Sequence, residues 1–427
     1  MRHFLLFGFA IIALLPLGCQ EKPEATPEAI AIGPEDWPWW RGPNRDGVAD
    51  PKQNPPTNWS ETKNVLWKMP IPGRGHGSAT VVGERVYLTT AEEDRHIQSV
   101  LCFDRGTGKE LWRKEVHDGA FPTKGANAKA SHASATVACD GKRVFVNFAN
   151  DGFVQASALD CKDGKIVWQT KVADYVLHQG YGPSPAIYKG LVIVSADHKG
   201  GGKFAGLDRV TGKIVWSIDR PKLPNYASPI IANVDGKDQL ILIGCKLVTS
   251  LDPLTGKKYW ETAGSTEECV TSTVTDGKHV FSTGGYPKNH VAAIVADGSG
   301  KVAWENTTRV YVPSLLVVGK HLYGVQDAGI ATCWNCATGK EIWTSRLGKA
   351  GFTSSPVLVG NRIFVTNETG TTFIFKANPE KFELEDENKL GDEALSTPTI
   401  CGSRIYIRVV KIGADKKREE WLYCLAK

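Results

Sequence analysis

The sequence predicts an all-β protein: a single eight-bladed β-propeller with four antiparallel strands in each blade. One pattern, Asp-x-x-Thr-Gly-Lys-x-x-Trp, occurs in full at Asp252–Trp260, and close copies recur with spacings of 39 to 56 residues, the length of a four-stranded unit. Runs rich in Val, Ile, Tyr and Phe, bounded by Gly and Asp, recur along the chain, whereas long amphipathic helical patterns are missing. The copies end at Trp112, Trp168, Trp216, Trp260, Trp304 and Trp343.

Each copy of the pattern predicts a β-hairpin. In all six, Gly stands four residues before the Trp and Lys three before it, as in Gly256-Lys257 before Trp260. An Asp at the start can accept hydrogen bonds from nearby backbone N–H groups, and Gly supplies the positive φ of a tight turn. The Trp then lies on the outgoing strand, where we expect its ring to wedge against the neighbouring blade.

The bulk composition argues against a nucleic-acid-binding protein. The 427 residues carry a net charge of +5, and the basic residues are scattered apart from Lys416-Lys417-Arg418, which is typical of a solvated loop. With 41% hydrophobic residues the chain can build a large core, and the repeat favours one domain over the two or three that length alone suggests. We expect a monomeric propeller.

The N-terminus resembles a bacterial lipoprotein signal. Residues 1–18 have a short basic start and an apolar run from Phe4 to Leu15, which is short for a membrane span. Cys19 would become the lipidated first residue, although Pro16 stands where the usual signal has Leu. A plain secretory signal is the alternative. Either signal predicts an extracytoplasmic protein, with residues 19–36 as a flexible tether.

Residues 37–63 form a Trp- and Pro-rich segment outside the repeat, which we expect to pack on the propeller as a plug rather than bind a ligand. The propeller is predicted over residues 64–427. Asn64–Met69, with Trp67, matches the Trp-bearing outer strand and is expected to pair beside Trp421–Leu425, which would close the ring and remove its exposed edges. The eight inner strands are predicted to begin near Ser78, Ser134, Ser184, Ser228, Ser272, Ser314, Ser355 and Thr397.

These motifs resemble the PQQ-like repeat family. The resemblance rests on the hairpin pattern, the eight units and the opening Trp40-Arg-Gly-Pro-Asn-Arg-Asp-Gly47, and it covers residues 37–427. The family includes quinoprotein alcohol dehydrogenases and a lipoprotein subunit of the outer-membrane β-barrel assembly machinery. The resemblance therefore implies the fold, but it implies no single activity.

The candidate binding residues lie on one face of the predicted ring. The turns between first and second strands and the Thr-Gly-Lys turns share one face, called here the tight-turn face. The longer second-to-third loops and the connections between blades share the other, the variable-loop face, where binding residues usually lie. The residues predicted nearest the axis there are His76, Ser78, His132, Ser134, His178, Tyr181 and Tyr226. A second interpretation is that the Ser residues only cap backbone groups and that polar loops collect His.

The sequence offers no metal site with a defensible ligand spacing, and its cysteines favour packing over redox chemistry. Cys333-Trp-Asn-Cys336 is an isolated CxxC, and Cys333 occupies the same repeat position as Cys102 and Cys424. That position holds Ala158, Gly206 and Ser250 in other units, which indicates a small-residue packing site.

Three functions stay open. The first is a membrane-tethered binding or scaffold module whose variable-loop face binds a protein or a surface polymer, without a cofactor. The second is a quinoprotein dehydrogenase with PQQ and Ca²⁺ above the axis, which the resemblance suggests; however, the adjacent Cys-Cys pair of those enzymes is absent. The third is a small-molecule or sugar sensor that uses the same axial cup.

Overall fold

The computed structural model describes residues 27–121 and 126–427 and forms eight four-stranded antiparallel sheets arranged as a propeller. The predicted fold class is confirmed. These residues contain strands and turns but no α-helix, and so no helix in this part of the chain could span a membrane. The signal peptide, Cys19 and the first part of the predicted tether lie outside the described residues.

The strands are numbered in chain order, and each blade reads from its inner to its outer strand. The first four blades are β2 (Thr80–Val82), β3 (Arg85–Glu92), β4 (Ile97–Asp104), β5 (Glu110–Asp118); β6 (Ala138–Cys139), β7 (Arg143–Asn150), β8 (Phe153–Asp160), β9 (Ile166–Asp174); β10 (Ala186–Tyr188), β11 (Leu191–Ala196), β12 (Lys203–Asp208), β13 (Ile214–Asp219); β14 (Ile230–Val234), β15 (Lys237–Gly244), β16 (Leu247–Leu251), β17 (Lys258–Ala263).

The last four blades follow the same order. They are β18 (Val274–Thr275), β19 (His279–Gly284), β20 (His290–Val295), β21 (Val302–Asn306); β22 (Leu316–Val318), β23 (His321–Val325), β24 (Ile330–Asn335), β25 (Glu341–Arg346); β26 (Val357–Val359), β27 (Arg362–Thr366), β28 (Thr371–Lys376), β29 (Leu384–Lys389); β30 (Thr399–Cys401), β31 (Arg404–Ile412), β32 (Arg418–Leu425), β1 (Val65–Ile71).

The ring closes through the N-terminal strand. β1 pairs antiparallel with β32, with Val65 opposite Leu425 and Met69 opposite Leu422, so the eighth blade takes three strands from the C-terminus and one from the N-terminus. The predicted closure is confirmed, and β1 extends two residues beyond the predicted end at Met69. β32 is therefore paired on both sides and is not an exposed edge strand.

The repeated Trp residues pack between blades. The Trp168 ring lies against Gly212 in the turn of the next blade, where a β-carbon would come within 2.6 Å of the ring. The Trp168 Nε1 donates across the same boundary to the Arg209 carbonyl oxygen at 3.1 Å. Gly212 is therefore required for two reasons. The turn needs its φ of +72°, and the Trp168 ring needs the space that a side chain would fill.

A small residue stands opposite each Trp within its own sheet. Cys102 pairs with Trp112, Cys333 with Trp343, and Gly206 with Trp216. A β-carbon on Gly206 would lie 2.4 Å from the Trp216 ring. The repeat position of Cys102, Cys333 and Cys424 is thus a packing position, and all three thiols are buried and form no disulfide.

A belt of hydrogen bonds joins the inner strands around the axis. In six of the blade-to-blade steps, the backbone N–H of one belt residue donates to the hydroxyl of the next at 2.9–3.0 Å. The belt residues are Ser78, Thr136, Ser184, Ser228, Ser272, Ser314, Ser355 and Thr397. The hydroxyls therefore cap inner-strand backbone groups, as one interpretation of the sequence expected.

Residues 37–49 close the channel at the tight-turn face. Trp37 forms a β-bridge with Val81 in the first blade, and Val48 forms one with Leu358 in the seventh. Between them, the fully buried Arg41 donates to the Leu315 carbonyl oxygen in the sixth blade at 2.5 Å. This end of the propeller is consequently covered by the chain itself, and within residues 27–121 and 126–427 the axis opens toward the variable-loop face.

Candidate functional site

An open cup lies on the axis of the variable-loop face. Its volume is about 570 Å³, and it is lined by the connections that run from each outer strand to the next inner strand. Each blade contributes the residue two positions before its belt residue. These eight residues are His76, Ser134, Gly182, Tyr226, Val270, Val312, Thr353 and Leu395.

The floor of the cup is the indole ring of Trp40. This residue belongs to the segment that closes the opposite face, and its Nε1 donates to the Ser272 hydroxyl at 2.8 Å. Ser272 is the belt residue of the fifth blade, so Trp40 lies at the level of the belt. The floor is therefore aromatic and fixed in orientation.

One wall of the cup carries a hydrogen-bonded network from four consecutive blade connections. The Tyr226 hydroxyl donates to the His178 carbonyl oxygen at 2.6 Å and lies 2.9 Å from His178 Nδ1. The Tyr311 hydroxyl donates to Glu268 Oε2 at 3.1 Å. Glu268 is only 5% exposed, and its Oε1 lies 3.7 Å from His178 Nδ1. Burial raises the pKa of both Tyr226 and Tyr311, so both phenols stay neutral.

His76 and Tyr181 add a second polar region. Burial, with smaller effects from Arg74 and Arg408, lowers the pKa of His76 to about 3, so its imidazole is neutral near pH 7. Its Nε2 is shielded from water and has no hydrogen-bond partner among the described residues. The Tyr181 hydroxyl accepts from Asn147 Nδ2 at 2.6 Å and donates to the Ser195 carbonyl oxygen at 2.9 Å.

A short strap, residues 126–131, crosses one side of the mouth of the cup. Asn127 bonds Gln179 through backbone and side chain, at 2.8 Å and 3.0 Å. Lys129 Nζ lies 2.7 Å from Glu368 Oε2 in the seventh blade, and the Thr353 hydroxyl donates to the other oxygen of that carboxylate. The strap is thus tied to the third and seventh blades, on opposite sides of the axis.

The structure brings five of the seven predicted site residues to the cup. His76, Ser134, His178, Tyr181 and Tyr226 all line it. Ser78 lies below them in the belt, where its hydroxyl donates to the Thr397 carbonyl oxygen at 2.8 Å.

His132 lies apart from the cup. It lines a smaller cavity of about 240 Å³ beside it and stacks on Phe121 at 4.3 Å between ring centroids.

The second inner strand was predicted to begin near Ser134, and its belt residue lies two positions later. The belt residue there is Thr136, and Ser134 points into the cup instead. The turn explains the difference, because Thr136 precedes Gly141 by five residues just as Ser78 precedes Gly83.

Trp40, Glu268 and Tyr311 are among the cup residues that the sequence argument missed. Trp40 was assigned to the plug, which it joins, but its ring also faces the cup. Glu268 stands four residues before Ser272, and Tyr311 three residues before Ser314. Their short separation from the belt residues along the sequence could have identified them, because the connections that lead to inner strands converge on the axis.

No cysteine among the described residues lines the cup. All nine described cysteines are buried and none forms a disulfide. Burial raises the pKa of Cys333 to about 11 and of Cys336 to about 12, which favours the unreactive thiol in both. Across residues 27–121 and 126–427 there is no group of three or more His, Cys, Asp or Glu arranged to hold a metal ion.

Comparison with known proteins identifies the family. Residues 96–345, more than half of the chain, match the sequence profile of the family described as outer membrane protein assembly factor BamB. The chain belongs to this family. The predicted resemblance to PQQ-like repeat proteins is confirmed at the level of fold and family.

Individual relatives are of two kinds. The chain is 26% identical over 275 residues to a polyvinylalcohol dehydrogenase from a Pseudomonas species, covering 60% of this chain but only 40% of the dehydrogenase. It is 23% identical over 376 residues to outer membrane protein assembly factor BamB from Burkholderia pseudomallei, covering 82% of this chain and 88% of that protein.

Solved structures show the same fold at low identity. BamB from Moraxella catarrhalis superposes with a TM-score of 0.60 at 16% identity, covering 84% of this chain and 98% of that one. Quinohemoprotein alcohol dehydrogenase from Comamonas testosteroni gives 0.66 at 13% identity, covering 92% and 80%.

Proposed function

We propose that this protein is an extracytoplasmic binding module that holds a protein or polymer partner on its variable-loop face and performs no catalysis. The observation that carries the proposal is the asymmetry of the two ends of the channel. Residues 37–49 cover the tight-turn end, whereas the other end is an open, aromatic and polar cup. Rigid blades that present variable loops around such a cup are suited to binding.

The relationship to BamB supports a protein partner. Family membership and the alignment along 82% of this chain to a protein named as an outer membrane assembly factor favour a role in which a partner protein docks. At 23% identity the surface residues can differ widely, so the identity of the partner follows from this chain's own loops.

A lipid anchor on Cys19 is part of the proposal. The Leu15-Pro-Leu-Gly-Cys19 sequence and the polar stretch after it are its basis. Cys19→Ala should move the protein from the membrane fraction to the soluble extracytoplasmic fraction. A variant that still sediments with membranes after a high-salt wash would contradict the anchor.

The docking face can be tested by photo-crosslinking in cells. A crosslinker at Tyr286, 51% exposed on the rim of the cup, should give a discrete adduct with one partner. The matched control is the same group at Lys257, exposed in a Thr-Gly-Lys turn on the opposite face. The partner found should then bind the purified protein. Adducts from Lys257 with none from Tyr286 would overturn the proposed face.

A PQQ-dependent dehydrogenase is the second candidate, favoured by the alignment with polyvinylalcohol dehydrogenase. The residues of the cup do not fit its calcium ion. Ca²⁺ takes six to eight oxygen ligands, usually with several carboxylates. Glu268 is the single carboxylate among the described lining residues, and Tyr311 already bonds one of its oxygens.

The two candidates can be separated by spectroscopy. Purified protein mixed with PQQ and Ca²⁺ should show no retained quinone absorbance after gel filtration if the binding module is correct. Retained quinone together with alcohol-dependent dye reduction would replace the first proposal with the second.

A further inference from the structure

The most unusual group in the cup is the carboxylate of Glu268. It is 5% exposed, and within the described residues no Lys or Arg nitrogen lies within 4.0 Å of it. Among the described residues, its one hydrogen bond with a side chain comes from the Tyr311 hydroxyl. The one ionisable nitrogen within 4.0 Å among these residues is His178 Nδ1, 3.7 Å from Oε1, so no Lys or Arg charge compensates for the hydration that burial removes from this carboxylate.

The hydrogen bonds around Glu268 use the local donor protons, so the groups left to bind a ligand are hydrogen-bond acceptors. The Tyr226 proton is donated to the His178 carbonyl oxygen at 2.6 Å, so His178 Nδ1, 2.9 Å from the same hydroxyl, carries a proton and donates to it. In a neutral ring, His178 Nε2 is then an acceptor. The Tyr311 proton is likewise used on Glu268 Oε2. A ligand here would be bound through its own donors.

The aromatic rings point to the same chemistry. Trp40, Tyr226, Tyr286 and Tyr311 all line the cup with Glu268. Aromatic faces attract cations, most strongly where water is excluded. Lys129 is held by Glu368, and Arg309 donates to the Gly285 carbonyl oxygen and lies 5.2 Å from the centre of the Tyr311 ring. Neither cation neutralises Glu268.

We propose that the cup binds a protonated alkylamine, with the ammonium group between Glu268 and the rings of Tyr226 and Tyr311. A free amine and a Lys side chain of a partner share this chemistry. The inference does not depend on the proposed function, since a small amine alone would satisfy it. Conversely, a partner could dock on the rim without an amine in the cup.

The test compares matched probes by isothermal titration calorimetry. We expect 1,5-diaminopentane to bind and uncharged 1,5-pentanediol not to bind. Glu268→Gln should lower the affinity for the diamine by about tenfold or more, which is the contribution of one hydrogen bond to a charged group. The control is Glu267→Gln, because that neighbouring carboxylate lies 3.2 Å from Lys246 and does not line the cup. It should bind as the parent protein does.

The melting temperature keeps a folding effect separate from a binding effect. Glu268→Gln should melt at the same temperature as the parent protein or higher, since it removes an unpaired buried charge. Arg309→Gln should bind the diamine more tightly, because a positive charge is removed from the rim. A blocked peptide, acetyl-Ala-Lys-Ala-amide, distinguishes the two sources of amine: tighter binding than the diamine indicates a partner's Lys. No diamine binding, equal binding of the diol, or no effect of Glu268→Gln would each overturn the proposal.

Discussion

At the scale of single residues, the main interblade contact is a Trp ring on a turn glycine. Trp216 lies against Gly256 of the next blade, where a β-carbon would be 2.5 Å from the ring, and against Gly206 of its own sheet. The side chain is 8% exposed, whereas its neighbour Val215 is 57% exposed. One residue thus fills space between two sheets while the adjacent residue faces solvent.

This difference gives a stability prediction. Trp216→Ala removes a large buried ring and should lower the free energy of unfolding by ~3–5 kcal/mol. Val215→Ala should change it by less than about 0.5 kcal/mol, as is usual for surface positions. Urea denaturation of both variants measures the difference. If Trp216→Ala destabilised only one step of a multistep unfolding transition, cooperative packing around the propeller would be contradicted.

A second prediction at this scale concerns acid. The pKa of His76 is about 3 in the folded protein against about 6.5 unfolded, so the unfolded chain binds a proton first as pH falls. Stability from this site is therefore present above pH 6.5 and is lost as pH falls toward 3, by up to ~1.4 kcal/mol per pH unit.

The histidine can be isolated by substitution. His76→Gln should flatten the dependence of unfolding free energy on pH between about 6.5 and 4. The exposed His96→Gln is the control and should leave the slope unchanged. An unchanged slope in His76→Gln would show that His76 becomes protonated without unfolding.

At the scale of elements, the conformation of a hairpin turn can be predicted from neighbouring residues, whereas the contacts between blade connections cannot. The Thr-Gly-Lys turns close through local bonds, such as the Thr255 N–H to Asp252 Oδ1 at 3.1 Å, so neighbouring residues suffice to predict them. The burial of Glu268 depends on His178 and Tyr311, which arrive from other connections. Such a site forms only when the ring brings those connections together, and the repeat alone does not encode it.

The same contrast explains the shifted strand start in the second blade. Ser131, Ser134 and Thr136 all offer a hydroxyl ahead of the strand. The belt uses Thr136 because its distance from the Gly141 turn, and not its residue type, brings it to the level of Ser78 and Ser184. Counting back from the turn would have identified it from the sequence.

The strap supplies a prediction for this scale. Lys129→Met removes the ion pair with Glu368. The Lys129 side chain is 66% exposed in this pair. Because exposed pairs contribute ~1 kcal/mol or less, the melting temperature should barely change. Amide hydrogen exchange in residues 126–131 should become faster. Lys165→Met, which removes an exposed pair with Asp163, is the control and should leave exchange in the strap unaltered. Unchanged exchange in Lys129→Met would mean that the ion pair is not needed, and that the bonds of Asn127 to Gln179 and of Arg74 to the Ala128 carbonyl oxygen hold the strap.

At the scale of the molecule, the pairing of β1 with β32 decides whether eight sheets behave as one unit. The repeat predicted both the number of blades and this closure, because the eighth blade lacks a Trp-bearing strand that residues 64–70 supply. Every blade then has two neighbours, and the edge of β32 is covered by β1.

Deleting residues 64–70 tests the closure. The variant should expose the edge of β32 and either aggregate or lose its single cooperative unfolding transition. Calorimetry and light scattering measure the two outcomes. A truncated protein that melts as the full chain does would show that the ring is held by the belt and Trp contacts without β1.

The meeting of β1 and β32 in one sheet also bears on how the chain is made. Val65 is made before any of the blades, whereas its partner Leu425 lies in β32, after all the other strands of the ring. β1 must therefore wait, unpaired, until every other strand of the ring has been made. If such a chain crosses a membrane with its N-terminus first, the ring cannot close until β32 has followed β1 across.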